Sequence, residues 1–229
     1  MAKRFYKDVR VEARDSGFVV LLDAHELKSP AKKPLHLPTQ KLAQMTADEW
    51  QAQQDEINPH TMPIMRLVST AHDRVAELPA ETAAAFAAYI MSDLLCYRAE
   101  HPDTLVQKQM ENWDPLLDWT KSRFDVSLTV TAGILPVQQP EANRQRFITA
   151  AGDEPFRLTG LAHLAALLGS AILPMALDEA HISPRQAYEL GFLDDLHQME
   201  EWGVDAEAQA RLDKIELEIA TVAGYLSAL

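Results

Sequence analysis

The sequence holds a single cysteine, Cys96, in 229 residues. One thiol cannot close an intramolecular disulfide, so nothing indicates an oxidising compartment, and zinc-finger spacing of cysteines is ruled out. Long apolar runs are missing too, with no stretch reaching the roughly eighteen residues of a membrane span. The start, Met-Ala-Lys-Arg-Phe-Tyr-Lys-Asp, has basic residues with no apolar segment behind them and does not read as a secretory signal. Glycine is scarce, and none of the 8 is followed by lysine, so the phosphate loop of an NTPase is absent. Asp178-Glu179-Ala180-His181 matches the box of one helicase group and, without that loop, is an accidental tetrapeptide. There is no G-x-S-x-G elbow for a serine hydrolase. The expectation is a soluble, reduced, cytoplasmic chain.

Charge is present in excess of one sign. The net is −13, yet residues 1–41 carry nine Lys/Arg against five Asp/Glu, a net of +4 that leaves −17 on the remainder. Such acidity speaks against nucleic-acid binding or insertion into an anionic membrane by the body of the chain. It suits solubility or a basic protein partner.

Taken in order, residues 1–45 predict a small β domain and 46–229 a larger all-α domain, an α+β fold. Phe5, Val9 and Val11 alternate with polar neighbours, Asp15-Ser16-Gly17 reads as a turn, and residues 18–23 form a second strand. Prolines 30, 34 and 38 then punctuate extended chain. Thr39 suits the cap of a helix carrying Leu42, Met45 and Trp50, and Pro63 suits the start of another running to Leu78-Pro79. Tyr89, Ile90, Leu94 and Tyr97 recur at the helix period, and His101-Pro102 ends that helix. A further helix from about Asp103 carries Leu105, Gln109, Trp113 and Leu116, with a bend or restart at Pro115. Residues 126–131 read as a β insert. Residues 140–151, 155–180, 183–202 and 205–229 read as helices, with breaks at Gly160, Gly169 and Pro174 in the second.

Enzyme constellations are thin. Asp194, His197 and Glu201 share a helical spacing that could present a metal-binding face, but the second Glu-x-x-His pair of a di-metal bundle is absent. A metal-dependent helical enzyme built on those three residues is the alternative function class, and an adaptor for another oligomeric complex is a third. Cys96 sits in an apolar run, where a buried, inert thiol is expected rather than a nucleophile. No catalytic residue, metal or cofactor is assigned.

Several pieces together resemble one family. Asp93-Leu94-Leu95-Cys96-Tyr97-Arg98, Trp113-Asp114-Pro115 and Gln198-x-Glu200-x-Trp202-Gly203 look like the assembly chaperones for the alpha subunit of the ATP synthase catalytic sector. Phe5-Tyr6-Lys7, Leu27-Lys28-Ser29-Pro30, Glu49-Trp50, Met62-Pro63 and Thr70-Ala71-x-Asp73 agree in order and spacing. One departure lies in the turn Leu22-Asp23-Ala24-His25, where the family has a glycine, which leaves the turn type open. The beginning at Phe-Tyr-Lys resembles a bacterial rather than a mitochondrial member.

The resemblance implies a non-enzymatic, cytoplasmic chaperone with no cofactor, and a monomer is expected because the sequence shows no heptad seam. It would bind the unassembled alpha subunit, cover the surface later occupied by the beta subunit and leave when the hexamer forms. The expected contact is the late acidic helix: Asp194, Asp195, Glu200, Glu201 and Asp205 around Trp202, in a region (residues 175–229) with twelve Asp/Glu against three Lys/Arg. Two readings of Trp202 stand, an exposed anchor or a core residue with Gly203 ending its helix. Tyr97 and Arg98 are weaker contact candidates, Arg98 having Asp93 and Asp114 as internal partners within reach.

Overall fold

The computed structural model describes residues 2–133 and 135–229. A small β part precedes a larger helical part, the α+β class that the sequence predicts. Five strands lie early in the chain: β1 (Ala2–Lys3), β2 (Val9–Arg14), β3 (Gly17–Leu22), β4 (His25–Glu26) and β5 (Glu56–Ile57). A three-stranded antiparallel sheet has the order β2-β3-β4, and β1 pairs antiparallel with β5. The helices are α1 (Gln40–Gln51), α2 (Pro63–Asp73), α3 (Pro79–Ala88), α4 (Asp103–Phe124), α5 (Glu141–Ala151), α6 (Pro155–Leu168), α7 (Ile172–Asp178), α8 (Pro184–Gly191), α9 (Leu193–Trp202) and α10 (Ala206–Leu226). Among the described residues, no helix is long and apolar enough to cross a membrane.

Two compact units result. The first comprises Met1–Pro79 with Glu154–Gly160 and Gly224–Leu229, the second Ala80–Asp153 with Leu161–Ala223. The first therefore reaches past the boundary expected at residue 45, because α1 packs on a sheet too small to enclose a core alone and α2 packs on α1. Val19, Val20, Leu21 and Leu22 of β3 are buried in succession, as befits a strand covered on both faces. Thr39 caps α1 by accepting from the Leu42 N–H at 3.1 Å, and its hydroxyl also donates to the Ala228 carbonyl. The Tyr225 hydroxyl donates to the Phe156 carbonyl at 2.9 Å within the same unit. Between β3 and β4 the two-residue turn Asp23-Ala24 places positive φ (54°) on Asp23, the first turn position, a conformation that aspartate tolerates better than most residues. Asp23 Oδ1 accepts from the Lys7 and Asp8 N–H groups at 2.9 and 2.8 Å, so the turn holds without the glycine.

The second unit departs from the sequence expectation at its centre. Residues 89–97 form no α-helix; they make two 3₁₀ turns, Tyr89–Ser92 and Leu94–Cys96, followed by strand β6 (Tyr97–Arg98). The cause is Asp93, whose extended backbone (φ −61°, ψ 135°) interrupts the helical ladder. Its fully buried carboxylate accepts from the Leu95 N–H at 3.2 Å, the Ser170 hydroxyl at 2.9 Å, and the Ala171 and Ile172 N–H groups at 2.8 and 3.2 Å. It thereby serves the N-terminus of α7, where backbone donors have no partner inside the helix and a negative charge is favoured. The Leu94 N–H donates to the Gly169 carbonyl alongside at 3.0 Å.

Three smaller corrections share one theme, local groups satisfied by unexpected partners. The segment 126–131 is not a strand: Thr129 exchanges both backbone bonds with the Gln139 amide, and the Ser127 carbonyl accepts from Asn143. Only β7 (Thr131–Ala132) pairs, in parallel with β6. Pro115 neither bends α4 into two nor restarts it, since it lies on the exposed side, where the Glu111 carbonyl it deprives of a donor can meet water. Of the three breaks expected in 155–180, Gly169 (φ 63°) ends α6, whereas Gly160 and Pro174 lie inside helices. Pro174 sits in the first turn of α7, where its missing N–H deprives no carbonyl.

Burial raises the Asp93 carboxyl from an ordinary 3.8 to about 6, while the hydrogen bonds from Ser170, Leu95, Ala171 and Ile172 restrain the rise. Between pH 3.8 and about 6 the folded protein holds a proton that the unfolded chain has released. The contribution of Asp93 to stability is therefore greatest below that window, falls as pH rises through it by about 3 kcal/mol in all, and is constant above it. Urea unfolding of wild type and Asp93→Asn at pH 4, 5, 6 and 7 should show this as a difference in pH slope confined to that window; parallel curves would refute it. Asp93→Ala, which orphans several buried donors, should lower stability by at least about 3 kcal/mol at pH 7.

Candidate functional site

Helix α9 carries the acidic stretch. It ends because Gly203 takes φ 91° and its N–H closes back on the Met199 carbonyl at 3.1 Å. Asp205 then opens α10: its Oδ1 accepts from the Glu207 and Ala208 N–H groups at 3.0 and 2.9 Å, an N-cap. Between these two helix ends the chain turns in the open. Trp202 is 83 % exposed and Val204 65 % exposed. Of the two readings of Trp202, the core one is overturned; Gly203 ends the helix and the indole still faces solvent. Glu200, Glu201 and Asp205 are exposed beside it.

The six residues expected at the contact thus separate. Asp194 is partly buried and accepts from the Gln109 amide at 2.8 Å, while Gln109, itself fully buried on α4, accepts from the Ala99 N–H. Asp194 therefore ties α9 to α4. Asp195 pairs with Arg211 of α10 at 2.6 Å. Glu200 pairs with Lys108 of α4, which holds its carboxyl below the usual range. The pair is exposed on both sides and contributes little to stability. Glu201, Trp202 and Val204, with Glu200 and the outer part of Asp205, remain as one acidic and apolar surface.

Beside α9 a polar hollow of about 450 Å³ is lined in part by Lys108, Arg185, Glu189, His197 and Glu200. Arg185 is held by Glu189 and Glu216 at 2.7 and 2.6 Å. His197 is only 4 % exposed, and among the described residues neither ring nitrogen has a hydrogen-bond partner. The alternative metal set does not converge: Asp194 is engaged by Gln109, His197 is buried and Glu201 is exposed. Among the described residues, no group of three or more His, Cys, Asp or Glu could hold a metal ion.

The other singled-out residues serve the interior. Arg98 is 6 % exposed and cannot be a surface contact; it donates to the Leu95 carbonyl at 3.1 Å and to Asp114, not Asp93, at 2.7 Å, with its guanidinium 5.1 Å from the Trp113 ring centroid. Tyr97 is half-buried in β6. The Trp113 indole N–H donates to the Leu190 carbonyl at 3.0 Å. Cys96 is buried, and desolvation pushes its thiol up to about 12, far from nucleophilic. In the tetrapeptide 178–181, Glu179 pairs with Arg123 and His181 stacks on Trp119 at 4.7 Å between centroids, both packing roles. The role of Asp93 escaped the sequence, although an acid inside an apolar run, with a serine ahead of a distant helix, is a readable sign of a buried cap.

The unpartnered imidazole carries a penalty that an apolar side chain of similar volume would not. Replacing it, as in His197→Leu, should leave thermal stability unchanged or raise it by about 1–2 kcal/mol. A loss of that size in calorimetry would mean that the ring is satisfied in solution. Trp202→Ala should change stability by less than about 0.5 kcal/mol, as expected for an exposed position.

Comparison with known proteins bears on all of these residues. The family model described as ATP12 chaperone protein matches residues 3–121. A curated relative, "Protein atp12, mitochondrial" of Schizosaccharomyces pombe, is 24 % identical over 215 residues, covering 88 % of this chain and 74 % of its own length. The crystal structure of Atp12 from Paracoccus denitrificans superposes with a TM-score of 0.93 at 37 % identity, covering 99 % of this chain and 98 % of that one. The Atu1473 protein of Agrobacterium tumefaciens gives 0.92 at 38 % identity, covering 99 % and 85 %. With more than half of the chain matched by the family model and near-complete coverage of bacterial structures above 30 % identity, this chain belongs to the ATP12 chaperone family, the assembly-chaperone family that its motifs resemble.

Proposed function

We propose that this chain is a non-enzymatic assembly chaperone that binds the unassembled ATP synthase alpha subunit, masks its beta-facing interface and is released on hexamer assembly. The observation that carries this reading is Trp202, a large aromatic 83 % exposed at a helix end and flanked by Glu200, Glu201 and Asp205. Trp202 and Val204 lie exposed together among these carboxylates, and tryptophan is prominent among residues that dominate binding energy. The carboxylates around it select a basic or mixed apolar-basic surface and steer its approach.

The chemistry fits a reversible mask. An orphan subunit presents apolar interface that aggregates, and a soluble protein covering it must bind more weakly than the final partner. One exposed anchor with charged neighbours gives that kind of contact, because rim charges favour rapid association and are screened by salt. Asp194 and Asp195 support the helix that presents the anchor. Glu200 and Glu201 are the direct contacts, with Glu200 able to exchange Lys108 for a cation of the client. The protein acts as a monomer in the cytoplasm, uses no cofactor and catalyses no reaction.

Co-expression with the alpha subunit alone should give a one-to-one complex on size-exclusion chromatography that dissolves when the beta subunit is added; alpha still aggregating, with no complex, would overturn the reading. Glu200→Lys should keep the circular dichroism of the wild type, since it breaks only an exposed ion pair, and should weaken pull-down of the alpha subunit. Trp202→Ala should weaken it at least tenfold, corresponding to about 1.4 kcal/mol or more. Unaltered binding by both variants would move the contact elsewhere on the surface.

A further inference from the structure

At a sheet edge, backbone donors and acceptors stay unpaired and offer a template to another strand. In the first unit β2 (Val9–Arg14) is such an edge, since the sheet order β2-β3-β4 gives it a single neighbour. Which of its groups point outward follows from β3. Phe18 exchanges both backbone bonds with Leu37, and the Val20 carbonyl accepts from the Leu27 N–H, so the even-numbered residues of β3 turn away from β2. Gly17, Val19 and Leu21 therefore face β2, opposite Arg14, Glu12 and Arg10. The backbone groups of Val9, Val11 and Ala13 point the other way. Among the described residues none of those three N–H groups has a partner, and of their carbonyls only that of Ala13 is engaged, by its neighbour Arg14 at 3.2 Å.

The usual guards of an edge are missing. Val9–Arg14 contains no proline and no lysine, and its register against β3 runs unbroken from end to end, with no bulge. Charge does not close the edge either. Asp8, Arg10, Glu12 and Arg14 alternate in sign along one face. Their lateral ion pairs, Arg10–Glu12 at 3.1 Å, Arg14–Glu12 at 2.8 Å and Arg14–Glu26 at 3.2 Å, are exposed and weak.

We infer that β2 pairs antiparallel with β2 of a second copy of this chain, about a two-fold axis through Val11, giving a continuous sheet of order β4-β3-β2-β2-β3-β4. Val11 then lies opposite Val11 and Val9 opposite Ala13, so each outward N–H and carbonyl finds a counterpart. On the charged face Arg10 lies opposite Glu12 and Arg14 opposite Asp8, twice over. These are the closely spaced positions between hydrogen-bonded pairs, where opposite charges support pairing. Sliding the strands by two residues one way sets Arg10 against Arg10 and Glu12 against Asp8. The other way sets Glu12 against Glu12 and Arg10 against Arg14. Like charges directly opposite are destabilising, so charge selects the register. The contact is one strand wide and smaller than the interface of a stable dimer, so the pairing is weak and reversible. It concerns the free chain and does not depend on the client reading; at low concentration the chain is the monomer proposed above.

Sedimentation velocity of the full chain from micromolar to millimolar concentration should show the mass rising towards that of a dimer. Residue-resolved hydrogen exchange over the same range should slow by about fivefold or more at the Val9, Val11 and Ala13 amides, and not at Arg10 and Glu12, which β3 already holds. Arg10→Glu alone and Glu12→Arg alone, each with the circular dichroism of the wild type, should stay single chains, because each sets like charges opposite one another twice. An equimolar mixture of the two variants should pair again: the introduced acid meets the introduced base, and the remaining Glu12 meets the remaining Arg10. A single wild-type chain at millimolar concentration, association untouched by either variant, or slowed exchange confined to other segments would each overturn the pairing. Failure of the mixture to associate where the wild type does would overturn the register and the proposal with it.

Discussion

The second unit depends on a carboxylate that never meets water. Asp93 stands at the break between two 3₁₀ turns and accepts hydrogen bonds from Leu95, Ser170, Ala171 and Ile172. Residues some eighty positions apart are therefore joined by polar bonds whose directions leave little freedom, where apolar packing alone would tolerate slippage. Taking a carboxylate out of water is unfavourable, and only its several donors and the helix end make the arrangement stable. The same stretch then sends Arg98 to Asp114 and over the Trp113 ring, so that α4 is held against the break it follows.

From α4 the order passes to α9. Gln109 relays from the Ala99 backbone to Asp194, and Lys108 lies one residue away in sequence, paired with Glu200. Acidic residues that look equivalent in composition are thus divided by depth. Asp194 holds the helix in place, Asp195 links it to α10, and Asp205 starts α10. Glu201 and Trp202 at the end of the same helix stay exposed.

The first unit solves a different problem. A hairpin of two six-residue strands cannot enclose a core, so β3 is buried by α1 and the extended segment 27–37. Met62, ahead of α2, is buried in the same unit, while Trp50 and Met65 are half-buried.

Much of this was legible in the sequence. Alternation marked β2 and β3, Thr39 and Pro63 marked the starts of α1 and α2, and 3.6-residue periodicity marked α4 with Trp113 inside. These features depend on neighbours a few positions away, which is the range over which backbone geometry acts. Burial and apolar surroundings of Cys96 were readable for the same reason. What only the tertiary structure decided were interactions whose partners lie far along the chain. Residues 89–97 have a helical pattern but not a helix, because Asp93 answers to the start of α7. The segment 126–131 looks like a strand and finds side-chain amides in place of a neighbouring strand. The acids of α9 are alike in sequence and differ only in what α4 and α10 bring beside them. Local periodicity determined where the helices and strands of this chain would form, and long-range satisfaction of buried polar groups decided which charged residues were consumed by the fold and which stayed at its surface.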